Sequence, residues 1–307
     1  MSLESATRSL VEEFRSRPTL RAGSLIVTVF GDAIAPRGGT VWLGSLIRVM
    51  SDFGISERLV RTSVFRLARD GWLDVGQAGR KSYYSLTEDG ARRFIQATHR
   101  IYGEPRQSWN GDWCLVLTNG LDTDRRELLR KELSWLGFAA ISSDLLAHPS
   151  PDAADLDAQL KRLDSGDLVI MNGRGAGPAL QNGAMRALVR RSWNLDDIEQ
   201  RYRAFLASFR PVFAATRRSR RIEPRTAFHI RTLMLQEYRK ILLRDPLLPA
   251  ELLPQGWHGV PAYQLCRNLY RRVYSAADAF LSDTMETYDG PLPPPSPDFY
   301  KRFGGLD

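Results

Sequence analysis

The chain has 307 residues, 43% of them apolar and 25% charged, with a formal net charge of +8. At about 100 to 200 residues per domain this length divides into two or three units, and the ordinary apolar-to-charged balance excludes a disordered or membrane-spanning chain as the overall class. The cationic excess is almost all arginine, since Lys81, Lys131, Lys161, Lys240 and Lys301 are the only lysines; guanidinium forks suit phosphates and guanine edges, though a basic balance alone fits nucleic acid, an acidic coenzyme or a membrane surface equally.

From the N-terminus, Ser5 to Arg17 is polar and amphipathic and has no secretory h-region. Ser24 is placed to cap a segment from Leu25 to Ile34 that reads as strand or helix, ended by Pro36, Gly38 and Gly39. Its apolar run, Leu25 to Phe30, is too short to span a bilayer. Trp42, Leu43, Leu46, Ile47 and Met50 recur at helical spacing, and Ser51 to Gly54 close that helix. Ser56 then caps a helix running from Glu57 to about Asp70. On its wheel Val60, Val64, Leu67 and Ala68 share one side; Arg58, Thr62, Phe65 and Arg69 share the other, flanked by Arg61 and Arg66. Trp72 to Val75 and Tyr83 to Leu86 read as a hairpin around Gly76 to Lys81, with Arg80 and Lys81 near its tip. Thr87 caps a helix from Glu88 to Tyr102.

Beyond residue 107 the pattern changes to strand, helix, strand, strand, helix, strand: Trp113 to Leu117, Asp124 to Leu136, Phe138 to Ile141, Leu145 to His148, Asp155 to Leu163, Leu168 to Met171. That order is the ferredoxin-like sandwich. From Ala184 onward no strand pattern persists, and helices over Leu195–Phe209, Thr226–Leu243 and Ala262–Leu281 dominate. The tail carries Pro291, Pro293, Pro294, Pro295 and Pro297 and is expected to be extended or disordered unless it docks on a partner chain. The fold class expected is α+β multidomain: a winged helix-turn-helix over 1–107, a ferredoxin-like unit over 108–183, an all-α C-terminal unit over 184–288 and a Pro-rich tail over 289–307.

Duplex DNA demands an element narrow enough for the major groove, cations to replace counterions, and donors for base edges. The helix after Ser56 offers all three, so Arg58, Arg61, Thr62, Arg66 and Arg69 are the candidate contacts, with Arg80 and Lys81 reaching backbone phosphate or the minor groove. The bland alternative is a solvated surface helix, which the attached turn and hairpin make less economical.

Other constellations carry less. Gly173, Gly175 and Gly177 depart from the dinucleotide fingerprint and read as a connector. Cys114 and Cys266 have no CxxC spacing, and His99, His148, His229 and His258 have no metal-ligand spacing; no metal, cofactor or disulfide framework is expected, and a reducing, cytoplasmic compartment is. Asp122 and Asp124 serve better as helix caps than as a cation site. No arrangement supports catalysis, so the chain is expected not to be an enzyme. The cluster Arg217, Arg218, Arg220 and Arg221 fits coenzyme phosphates, DNA backbone or a solvated linker. Tyr238 and Trp257 fit either a pocket for an aromatic acyl group or the core.

Gly31-Asp32, Pro36-Arg37-Gly38-Gly39, Val41 to Ile47, Glu57 to Leu67, Gly71-Trp72-Leu73 and Gly79 to Tyr84 resemble the phenylacetate-degradation repressor family, PaaX-like. Asp245-Pro246, Leu248-Pro249, Glu251 to Pro254 and Trp257 resemble its C-terminal part. The resemblance implies a middle domain similar to Cas2 and a homodimer that represses an aromatic catabolic operon on double-stranded operator DNA. It also implies release by an aryl-acyl-coenzyme A, phenylacetyl-coenzyme A, for which Arg217, Arg218, Arg220, Arg221, Tyr238 and Trp257 are the candidate contacts on the residue reading above. The alternatives are a regulator of a different aromatic-acid pathway and, through the Cas2 likeness, a metal-dependent nuclease. Against the latter, the first strand of the middle domain ends in Thr118-Asn119 where a metal-binding Asp would be expected.

Overall fold

A computed structural model describes residues 2–18, 22–104, 109–149, 151–163, 168–174 and 183–306. They fall into two compact units: Met1–Glu104 with Ala204–Arg239 and Pro261–Asp307, and Pro105–Arg203 with Lys240–Val260. Among the described residues no helix is long and apolar enough to cross a membrane.

In the first unit, α1 (Leu3–Arg15) and α2 (Ala22–Val29) precede a π-helical turn, Phe30–Ile34. The segment that sequence left open between strand and helix is therefore helical. Ser24 lies inside α2 rather than capping it, and its hydroxyl accepts from Gln236 and Arg239. Then come β1 (Thr40–Trp42), α3 (Leu43–Ser51), α4 (Glu57–Arg69), β2 (Leu73–Ala78), β3 (Lys81–Leu86) and α5 (Glu88–Tyr102). The sheet order is β1-β3-β2, antiparallel throughout, with Trp42 opposite Tyr83 and Ala78 opposite Lys81. Trp42 thus belongs to a strand that helical spacing concealed. The hairpin is also longer than expected and turns on two residues, Gly79 at φ +60° and Arg80.

A buried ionic cluster ties distant segments of this unit together. Asp32, in the π-helical turn, accepts from Tyr102 (2.8 Å), Tyr270 (2.9 Å), Arg302 (2.9 Å) and Arg231 (2.6 Å). Asp278 bridges Arg231 (2.5 Å) and Arg37 (2.6 Å). Burial alone would raise the Asp32 carboxyl, but Arg231 and Arg302 outweigh it and hold it below its ordinary value. The tail is folded rather than extended. Phe299 and Phe303 are buried, and the Arg302 guanidinium lies over the Tyr102 ring at 4.2 Å. Apolar rings that follow the prolines, together with one cation for a buried carboxylate, offset the disorder that Pro content favours.

The second unit contains β4 (Asp112–Leu117), α6 (Thr123–Trp135), β5 (Ala139–Ser142), β6 (Leu145–His148), α7 (Ala153–Arg162) and β7 (Val169–Arg174), in the sheet order β5-β6-β4-β7 with antiparallel neighbours. Cys114, Val116, Leu129, Leu133, Phe138, Leu146 and Leu156 form its core. Asp122 caps α6, its carboxylate accepting from the Arg125 amide at 2.8 Å. Gly173 lies on β7, whereas Gly175 and Gly177 lie outside the described residues. The remaining helices are α8 (Gly183–Ser192), α9 (Leu195–Arg218), α10 (Pro224–Leu242) and α11 (Gly259–Thr284). They are followed by a two-residue strand pair absent from the all-helical expectation, β8 (Glu286–Thr287) with β9 (Gly290–Pro291).

Candidate nucleic-acid interface

The turn between α3 and α4 depends on Gly54 at φ +74°, a left-handed value that side-chain-bearing residues rarely take. Ser56 then accepts the Leu59 amide, and Glu57 supplies a negative charge to the first turn. Val60 and Val64 are 0% exposed and anchor α4. Burying those two fixes which side faces water. Arg58, Arg61, Thr62, Arg66 and Arg69 are all exposed.

The cations differ in how they are held. Arg61 is paired with Glu57 one turn earlier (2.7 Å) and Arg69 with its neighbour Asp70 (3.2 Å). No ion pair engages Arg58, Arg66 or Arg80 among the described residues. The Thr62 hydroxyl donates to the Arg58 carbonyl (2.9 Å). The turn before α4 is braced by Asp52, which accepts from Arg225 (Nε, 2.8 Å) and meets His229 Nε2 at 2.9 Å. Burial would raise the Asp52 carboxyl; those two donors overcome it and lower it to about 2.

The β2–β3 hairpin carries Arg80 at its tip and Lys81 beside it. Lys81 Nζ lies 4.2 Å from the centre of the Trp42 ring and 2.8 Å from Glu286 of β8, whose carboxylate raises the ammonium pKa. Tyr288, between β8 and β9, stacks on Tyr83 with ring centres 3.9 Å apart. Its hydroxyl approaches Gly76 so closely that a Cβ there would lie 1.9 Å from the oxygen. These bracing residues were missed in sequence because nothing local links positions 286–288 to a hairpin some 205 residues earlier.

The residues anticipated for an acidic ligand are only partly brought together. Arg217 lines an open cavity of about 430 Å³ with Phe213, Asn268, Arg271 and Arg272. Arg271 donates to the Gly305 carbonyl (2.7 Å) and Arg272 to that of Ser219 (2.7 Å), which holds both side chains in place. Arg218, Arg220 and Arg221 are exposed but do not line it. Tyr238 is buried against Phe205 in the core of the first unit, and Trp257 packs edge-on against Tyr202 in the second. Neither lines the cavity. Asn268, Arg271 and Arg272 escaped notice because their spacing on α11 reads as an ordinary solvated face.

Comparison with known proteins adds three family-model matches: PaaX-like protein over residues 21–90, the PaaX protein central Cas2-like domain over 106–181, and the PaaX-like protein C-terminal domain over 193–283. The chain is 42% identical over 285 residues to a protein of Escherichia coli (strain K12) named transcriptional repressor PaaX, covering 92% of this chain and 90% of the relative. A solved structure, uncharacterized protein Rv0674 from Mycobacterium tuberculosis, aligns with a TM-score of 0.55 at 22% identity, covering 85% of this chain and 99% of that one, which speaks to fold alone.

Proposed function

Since the chain belongs to the PaaX-like protein family, we propose that it is a transcriptional repressor of a phenylacetate catabolic operon that reads operator DNA through a winged helix-turn-helix. The observation that carries the reading is α4 itself: two fully buried valines on one side, and Arg58, Arg61, Thr62, Arg66 and Arg69 open to solvent on the other. In this reading α4 enters the major groove and the β2–β3 hairpin is the wing, with Arg80 and Lys81 on backbone phosphate. A homodimer places two such helices on an inverted repeat, as twofold symmetry requires.

Release follows if an aryl-acyl-coenzyme A, phenylacetyl-coenzyme A by the family resemblance, prefers the arrangement that cannot span both half-sites. A coupling of about 1 to 3 kcal/mol shifts DNA affinity roughly 5- to 150-fold. The cavity at Arg217, Asn268, Arg271 and Arg272 supports the reading as a place for the coenzyme phosphates, because fixed guanidiniums are suited to bidentate phosphate recognition.

The test is binding of the full chain to operator duplex across a salt series. Replacing Arg58 and Arg66 with Ala weakens binding and flattens the salt dependence by about one counterion for each phosphate left without its guanidinium. Unchanged affinity and slope reject α4 as the reader. For the effector, the thioester releases DNA and free phenylacetate does not; the reverse result overturns the ligand assignment.

A further inference from the structure

We infer that Phe65 is a specificity-determining contact that reads the 5-methyl group of a thymine in the major groove. The inference rests on α4 being the DNA-contacting helix and adds a contact of a different chemical kind to it.

At 100° per residue, Arg58, Arg61, Thr62, Phe65 and Arg69 fall within an arc of about 100°, with Phe65 inside that arc rather than at its border. Phe65 is 66% exposed, the most exposed large apolar side chain among the described residues. One exposed apolar residue is ordinary on a protein surface; its neighbours are what set this one apart. It sits one turn from Arg61, Thr62 and Arg69, on the face opposite the buried valines. Among the described residues no aromatic ring and no cation is placed over its ring, so it is not the platform for an intramolecular cation–π contact, unlike Trp42 beneath Lys81 or Tyr102 beneath Arg302.

The chemistry of the groove narrows the target. Base edges there present hydrogen-bond donors and acceptors, and the thymine methyl is the apolar group among them. A phenyl ring cannot satisfy a donor or acceptor, whereas it can shield a methyl from water. The surrounding guanidiniums hold the helix to phosphates and guanine edges, and Phe65 supplies discrimination that they do not.

The test begins with selection of duplexes from a randomised library by the full-length protein. The wild-type consensus is then resynthesised with deoxyuridine for thymidine at each position in turn, which removes the methyl and leaves every hydrogen-bonding group. Binding is measured at fixed salt for the wild type, Phe65→Ala and Phe65→Leu. The wild type is expected to lose about 5- to 10-fold at one thymine per half-site, while F65A binds both versions equally and F65L retains part of the preference.

Wild-type indifference to the methyl at every position overturns the inference, and so does undiminished discrimination by F65A. A change in oligomeric mass of F65A without DNA also overturns it, because the ring would then be packing on protein. If selection yields no consensus at all, α4 as the sequence reader fails first; a consensus without methyl discrimination removes only the role of Phe65. Since the ring is exposed, F65A is expected to melt as the wild type does.

Discussion

Arg58 and Arg66 on α4 and Arg231 and Arg302 in the Asp32 cluster carry the same side chain under opposite conditions. The first pair stands in water and engages no carboxylate among the described residues; the second is buried, with carboxylate, carbonyl and phenol oxygens around it. A guanidinium in water needs no partner and remains available to phosphate. A buried one is stable only while its partners are present, because those partners alone offset its desolvation. Exposure thus separates cations available for recognition from cations that fasten the fold.

The sharpest way to break this contrast is Asp32→Asn. It leaves Arg231 and Arg302 without their shared charge and is expected to cost about 3 to 5 kcal/mol of unfolding free energy, read by urea denaturation. A loss below about 1 kcal/mol would show that the cluster is fastened by packing rather than by charge. The complementary substitution, Arg58→Ala with Arg66→Ala, is expected to move stability by no more than about 0.5 kcal/mol per site, while DNA binding weakens if the proposed reading of α4 holds. Should this double variant unfold as readily as the Asp32 one, the division between the two classes of arginine is lost.

Gly76→Ala probes the ground between them, where the bracing is half-buried. The added methyl displaces the Tyr288 hydroxyl, and Tyr288, 45% exposed, has room to swing off Tyr83. The expected loss is about 0.5 to 1.5 kcal/mol, the contribution of one aromatic pair. Thermal melting measures it, and Tyr288→Ala should largely abolish the additional effect of the glycine change. A further effect depends on pH and concerns Asp52, whose folded pKa near 2 lies below its ordinary 3.8. Its stabilising contribution is complete above about pH 4 and disappears as pH falls through 2. The melting temperatures of wild type and Asp52→Asn should therefore converge between pH 4 and pH 2, and parallel curves would show that Asp52 does not titrate with folding.

What could be read from sequence was what adjacent residues decide. The caps Ser56, Thr87 and Asp122, the alternation of valine and arginine on α4, and the strand order of the second unit depend on neighbours a few positions apart. What stayed hidden was distant pairing. Helical spacing after Trp42 masked β1 because its partner, β3, lies more than forty residues downstream. Gly31 and Arg37 carried the family resemblance, yet their purpose emerges only beside Phe94 and Asp278. Phe65 was visible as an exposed position on the wheel, but isolation of its ring from other rings and cations is a property of coordinates.

The separation of Arg302 from Asp32 by 270 residues sets a clock on biosynthesis. At about 5 to 20 residues per second, the ribosome needs roughly a quarter of a minute to a minute to traverse that interval. Throughout it the nascent N-terminal segment holds a carboxylate whose last counter-charge has not yet been made. The Asp32 cluster therefore cannot close until Arg302 has been made, and until then its carboxylate stays hydrated.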